Sequence, residues 1–307
     1  MLRRAWLVGL IAGLVVATSV SAWALTPVQI LAGPEDQLLP YGNDAYLGWT
    51  QNSTGRPRHY DAFAQPEGTT SRTRLNAAGT GGWMGGFDPG TNTSIYQQTE
   101  LGRSDLYFYD LDTNTRTEVS GVNTLQWEWG PKISSSYILF SRDPLGVGTS
   151  RLILFDRALS HSTLIASVDE SRATILTGGV GDRYATWTVC TVRTCNAFYY
   201  DTDDSSTHRV ANPSGRPQYA PVIDEAAGSL YFVRSGSDCG QNVTIRKGTV
   251  GSSDSIVLAL LPQGVDTDWR MSLTPNTGSG HTDLLFVRYR CATAQGDIYA
   301  LRSVDTV

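Results

Sequence analysis

The run DLYFYDLDTNTRTEV, from Asp105 to Val119, is echoed by RLILFDRALSHSTLI from Arg151 and by NAFYYDTDDSSTHRV from Asn196. Each has an alternating apolar stretch, an Asp at its end, a polar turn and a second short β-prone stretch. Fainter copies are RHYDAFAQPEG from Arg58, VTIRKGTVGSSDSIV from Val243 and DIYALRSVDTV from Asp297. The copies start 47, 46, 45, 47 and 54 residues apart. Short alternating strands repeated at this period are the mark of a β-propeller with four strands to each blade. Helical repeats of similar length need amphipathic helices, and the sequence shows none. The expected fold class is all-β: a six-bladed β-propeller of four-stranded antiparallel blades.

The repeats also place the strands. Blade three is expected at Leu125 to Trp129, Tyr137 to Ser141, Arg151 to Phe155 and Ser162 to Ala166. Blade five is expected at Gln218 to Ile223, Leu230 to Arg234, Val243 to Arg246 and Ser255 to Leu260. Asp110, Asp156 and Asp201 each close a third strand, where a carboxylate can accept hydrogen bonds from the turn backbone. Blade two is the least regular, because GTGGWMGGFDPG replaces an ordinary first strand. The sixth copy stops at Val307, where its fourth strand is due, and Val28 to Leu31 resembles a fourth strand with no blade before it. The N-terminal strand is therefore expected to complete the last blade and lock the ring, leaving no free sheet edge there.

Met1 to Ala24 has the form of a secretory signal: Arg3 and Arg4, an apolar middle from Ala5 to about Val16, and Ala22-Trp23-Ala24 as the cleavage site. The expected organisation is a signal peptide over 1–24 and a propeller domain over 25–307. The product would be secreted, periplasmic or extracellular, with no membrane span in the mature chain. The apolar run is short for a span, and the alternative is an uncleaved anchor. Export puts the four cysteines in an oxidising compartment. Cys190 and Cys195 flank a hairpin-sized gap. Cys239 and Cys291 follow the repeated motif Phe-Val-Arg in successive repeats, so two disulfides are expected, one within a hairpin and one between neighbouring blades. The net charge of −5 has no basic run within it, which argues against nucleic acid as the main partner.

WEWGPKISSSYILFSRD, from Trp127, followed by RLILFDRALSHSTLI resembles the repeat of the TolB-like six-bladed propellers, in which an aromatic precedes a turn and a third strand ends in Asp. The likeness runs from about Leu31 to the C-terminus, with Trp129-Gly130-Pro131-Lys132 in place of the family's usual turn. TolB carries an additional N-terminal α/β domain, whereas this chain is expected to pass from signal to propeller directly.

No nucleophile motif of the G-x-S-x-G type is present. His59, His161, His208 and His281 fall in different repeats without metal-ligand spacing. The acidic runs at Asp110–Asp112 and Asp201–Asp204 suit hairpin turns better than a calcium loop. No catalytic residue, metal or cofactor is assigned. First strands line a propeller's channel, so Trp83, Trp127, Glu128, Arg172, Tyr219, Asp268, Trp269 and Arg270 are the expected ligand-binding residues. Trp129 belongs with them, and packing between blades is the competing role for these rings. Long connections between second and third strands, Asn52 to Pro57, Asp143 to Ser150 and Ser235 to Gln241, would elaborate the same rim. The expected function is a monomeric, non-catalytic module that binds a protein or glycan at the cell envelope. The alternative is a metal-dependent lactonase or lyase with its site at the channel mouth.

Overall fold

In the computed structural model, residues 24–52, 59–144, 148–236, 238–276 and 279–307 are described. The signal over 1–24 lies outside the described residues except for Ala24, as do the connection 53–58 and parts of the connections after Asp143 and Ser235. Six four-stranded antiparallel blades form a ring. Blade three runs Trp127–Ile133, Tyr137–Asp143, Thr149–Asp156 and His161–Asp169. Blade five runs Gln218–Asp224, Ser229–Arg234, Thr244–Thr249 and Ser255–Leu260, close to expectation. The recurring Asp does what its chemistry suggests. Asp110 Oδ1 accepts from the Asp112 and Thr113 amides, and Asp156 Oδ1 accepts from the Ala158 and Leu159 amides.

Two local expectations are corrected. The first strand of blade three starts at Trp127 rather than Leu125, and Gly130-Pro131-Lys132 lies inside it as a bulge, not as the turn after it. Blade two keeps an ordinary first strand, Gly81–Phe87. Its glycines are there for close approach: a Cβ on Gly82 would fall 2.4 Å from Asn76 Oδ1, and one on Gly85 2.7 Å from Pro131.

Every first strand is interrupted midway. Register slips at Leu38/Tyr41, Met84/Gly86, Trp129/Lys132, Thr177/Val180 and Tyr219/Val222. In blade six the strand is split into Val265–Asp266 and Ser272–Asn276. Three of the bulges contain Pro40, Pro131 or Pro221, which lack the amide hydrogen that a regular ladder needs. The residues before them, Leu39, Gly130 and Ala220, have positive φ. A bulge re-aims the side chains that follow it, and here it turns them towards the channel.

The second strands carry a large buried aromatic in all six blades: Trp49, Tyr96, Phe140, Trp187, Phe232 and Phe286. Four of these rings lie against a third-strand ring of their own blade, such as Trp187 on Phe198 at 5.7 Å. Five apolar clusters centre on the five junctions from blades one and two to blades five and six.

The closing junction combines buried aliphatic packing, such as Leu285 against Gly42, with hydrogen bonds. Val28–Leu31 pairs antiparallel with Gln295–Leu301, placing Val28 opposite Ala300 and Gln29 opposite Tyr299. Ser272 Oγ donates to Pro40 O at 2.7 Å, the Gly296 amide to Asp36 Oδ1 at 2.7 Å, and Gln295 Nε2 to Gly33 O at 3.1 Å.

Burial lifts the Asp36 carboxyl from 3.8 to about 6, and Asp268 and Asp297 push in the same direction against the Gly296 amide. The native state thus holds this proton more tightly than the unfolded chain. The stability it contributes is present below 3.8 and is lost as pH rises through about 6. Asp36→Asn keeps the acceptor for Gly296 and removes the charge. Its melting temperature should exceed wild type at about pH 8 and match it at about pH 4, as measured by thermal scans. A lower melting temperature than wild type at the higher pH would contradict this account of the junction.

Candidate functional site: the channel mouth

First strands begin, and second strands end, on one face of the ring, and this face carries the aromatic residues. Trp83, Met84, Trp127, Trp129 and Arg270 line a cavity of about 370 Å³. A neighbouring cleft of about 470 Å³ shares Trp127, Trp129 and Asp143 and adds Ser150 and Glu170. Trp83 packs against Tyr60 in a tilted pair with ring centroids 4.4 Å apart, and Trp127 Nε1 donates to Gly102 O at 2.7 Å, which fixes that indole beside the Leu101-Gly102 turn. Across the mouth, Tyr219 and Trp269 pack at 4.6 Å in a third cavity of about 280 Å³. Tyr219 donates its hydroxyl hydrogen to Asp266.

Both disulfides lie on this face. Cys190–Cys195 closes the hairpin between the second and third strands of blade four, and Cys239–Cys291 joins the corresponding connections of blades five and six. Both pairings are those expected, the first from its hairpin-sized spacing and the second from the repeat.

Below the mouth the channel becomes charged. Asp268 accepts from the Trp269 amide at 2.7 Å and the Leu39 amide at 3.3 Å, tying blade six to blade one. Its burial raises the carboxyl pKa, against the pull of Arg270. Lys132, turned inward after the blade-three bulge, donates to the Tyr41 hydroxyl and lies 4.4 Å from the centre of that ring. Burial holds its ammonium pKa well below the ordinary lysine value, and the positive charge of Arg270 adds to that. Sequence reasoning missed Lys132, whose inward turn depends on a bulge that only the register reveals.

Of the expected residues, Trp83, Trp127 and Arg270 share one cavity, Tyr219 and Trp269 share another, and Asp268 sits beneath. The other two are placed elsewhere. Glu128 is fully buried, paired with Arg142 at 2.8 Å and accepting from Thr124 Oγ1 at 2.6 Å, so it holds blade three together. Arg172 is exposed and lies 3.6 Å from Asp169 on the loop into blade four. Among the described residues, Cys239, Asp266 and Cys291 bring three ligand-type atoms within 4.8 Å of one another. The two sulfurs are bonded to each other, which leaves one carboxylate and not a metal-binding set. No helix among the described residues is long and apolar enough to cross a membrane.

No protein-family model matches the sequence, and no curated protein matches it. Solved structures do share the fold. TolB from Acinetobacter baumannii superposes with a TM-score of 0.55 at 13% identity, over 84% of this chain and 64% of the TolB chain. An oligogalacturonate lyase from Vibrio parahaemolyticus gives 0.54 at 11% identity over 90% and 84%, and an oligogalacturonate lyase in complex with manganese gives 0.55 at 12% over 92% and 98%. At such identities the shared property is the TolB-like six-bladed propeller fold.

Trp269 is 44% exposed, whereas Trp187 is fully buried. Trp269→Ala should cost about 1 kcal/mol, the worth of its contact with Tyr219, and Trp187→Ala about 3–5 kcal/mol. Urea unfolding of the two variants checks this. Equal losses would make Trp269 part of the core rather than the mouth.

Proposed function

We propose that the protein is an exported, non-catalytic propeller that uses the channel-mouth face to bind a protein partner at the cell envelope or outside the cell. One observation carries this: the face presents exposed aliphatic side chains around its indoles. Leu101 is 97% exposed and occupies a turn position at φ 45° that favours Gly or Asn. An apolar residue kept in a strained, solvated position is more readily understood as a contact than as a packing element. Trp127 is hydrogen-bonded to the same turn, Leu125 two residues before it is 80% exposed, and Val192 is exposed near Trp269 across the mouth. Glycan sites use aromatic faces with polar groups and gain little from isolated leucines, so the aliphatic content favours protein over glycan. Such rimmed apolar surface is characteristic of interaction sites. Export is supported by the signal-like segment over 1–24 and by the two disulfides, which suit an oxidising compartment.

The lyase alternative has weaker support. The neighbours that carry that name share the fold, and the one grouping of ligand-type atoms among the described residues is taken up by a disulfide.

The test is retention of envelope proteins by immobilised protein. Leu101→Asp with Leu125→Asp should leave the melting temperature unchanged and reduce partner retention about tenfold or more, since both side chains are solvated in the free protein. Equal retention by wild type and the double variant would refute the assignment of this face.

A further inference from the structure

The cleft between blades three and four has a chemistry that none of the residues singled out from the sequence, apart from its two indoles, would suggest. Its walls are Trp127 and Trp129, and its acidic groups are Asp143, at the end of the second strand of blade three, and Glu170, on the loop into blade four. Among the described residues that line it there is no Lys, Arg or His. Arg142 is paired with Glu128 and Arg172 lies beside Asp169, while Arg270 lines the adjoining cavity that shares Asp143. Ser150, only 2% exposed, also lines the cleft. Ser150 Oγ, Asp143 Oδ1 and Trp129 Nε1 are all buried. The Ser150 hydroxyl and the Trp129 indole N–H act on the Asp143 carboxyl as hydrogen-bond donors at the edge of hydrogen-bonding geometry, so none of the three atoms has a full partner. Ser150 Oγ and Asp143 Oδ1 can each accept a further hydrogen bond, which a donor entering the cleft would supply.

We propose that this cleft receives a cationic side chain of the bound partner, a guanidinium or an ammonium, lying over an indole face and ion-paired to Asp143 and Glu170. The inference rests on the reading of the channel-mouth face as a protein-recognition surface. Indoles attract cations through the ring quadrupole, and the attraction grows when the cation is desolvated. Two neighbouring carboxylates supply the charge that a buried cation needs. Burial and the negative charge of Glu170 raise the Asp143 pKa in the free protein, and the positive charge of a bound cation would act against both by favouring the ionised carboxylate. A neutral sugar would hydrogen-bond the carboxylates without relieving their repulsion, so the pair favours a positive guest.

The full chain can be titrated with n-butylguanidinium, n-butylammonium and the neutral isostere n-butylurea while the indole N–H resonances of Trp127 and Trp129 are followed by NMR. The cations should give saturable shifts at one or both indoles, and n-butylurea none. Asp143→Asn with Glu170→Gln should weaken cation binding about tenfold without lowering the melting temperature. Glu170→Gln alone serves if the double variant folds poorly. Equal shifts from n-butylurea, binding that survives the double variant, or no shift with any probe would overturn the proposal. So would stronger shifts from methyl β-glucoside, which would identify the cleft as a glycan site. If Leu101→Asp with Leu125→Asp releases the partner while Asp143→Asn and Glu170→Gln do not, the cation subsite fails and the recognition face stands.

Discussion

The pairing of Val28–Leu31 with Gln295–Leu301 is the constraint on which the rest of the molecule depends. Five blade junctions are filled by apolar clusters that local sequence can supply once neighbouring repeats pack. The sixth joins opposite ends of the chain, where backbone pairing and side-chain hydrogen bonds add to buried aliphatic packing such as Leu285 against Gly42. Ser272 to Pro40, Gly296 to Asp36 and Leu39 to Asp268 all cross it. An open ring would leave a solvated sheet edge on blade six and would separate Asp268 from the blade-one backbone it anchors.

Closure has a consequence for the mouth. The cavities there are shared between blades: Arg270 of blade six reaches the Trp83 and Trp127 cavity of blades two and three, and the Tyr219–Trp269 contact links blades five and six. Their geometry therefore requires a ring of fixed circumference. The bulges in the first strands set what each blade offers inward, and the disulfides pin the same face. By the chain-entropy model, Cys239–Cys291, with a separation of 52 residues, contributes about 4 kcal/mol, and Cys190–Cys195 about 2 kcal/mol.

Much of the fold was legible because a repeat records it several times over. The Asp at the end of the third strand, the Phe-Val-Arg motif before each member of one cysteine pair and the orphan strand at Val28 each led to the correct topology. What escaped notice depends on a single residue of register or on packing between blades. Lys132 resembles a turn residue until the bulge at Gly130-Pro131 turns it into the channel. Glu128 alternates into the blade interior to meet Arg142, although its neighbours Trp127 and Trp129 reach the cleft. The buried aromatic of each second strand repeats too, but as Trp, Tyr or Phe, so residue identity hides it. Asp143 and Glu170 are 27 positions apart on different connections, and no spacing rule joins them.

The central claim is tested most directly by native-state hydrogen exchange at the amides of residues 28–31 that face Gln295–Leu301. If the N-terminal strand closes the ring, these amides exchange as slowly as those of Gln295–Leu301 and lose protection together with them as denaturant is added. Exchange at the rate of an unstructured peptide, while Gln295–Leu301 stays protected, would show an open ring and contradict the account.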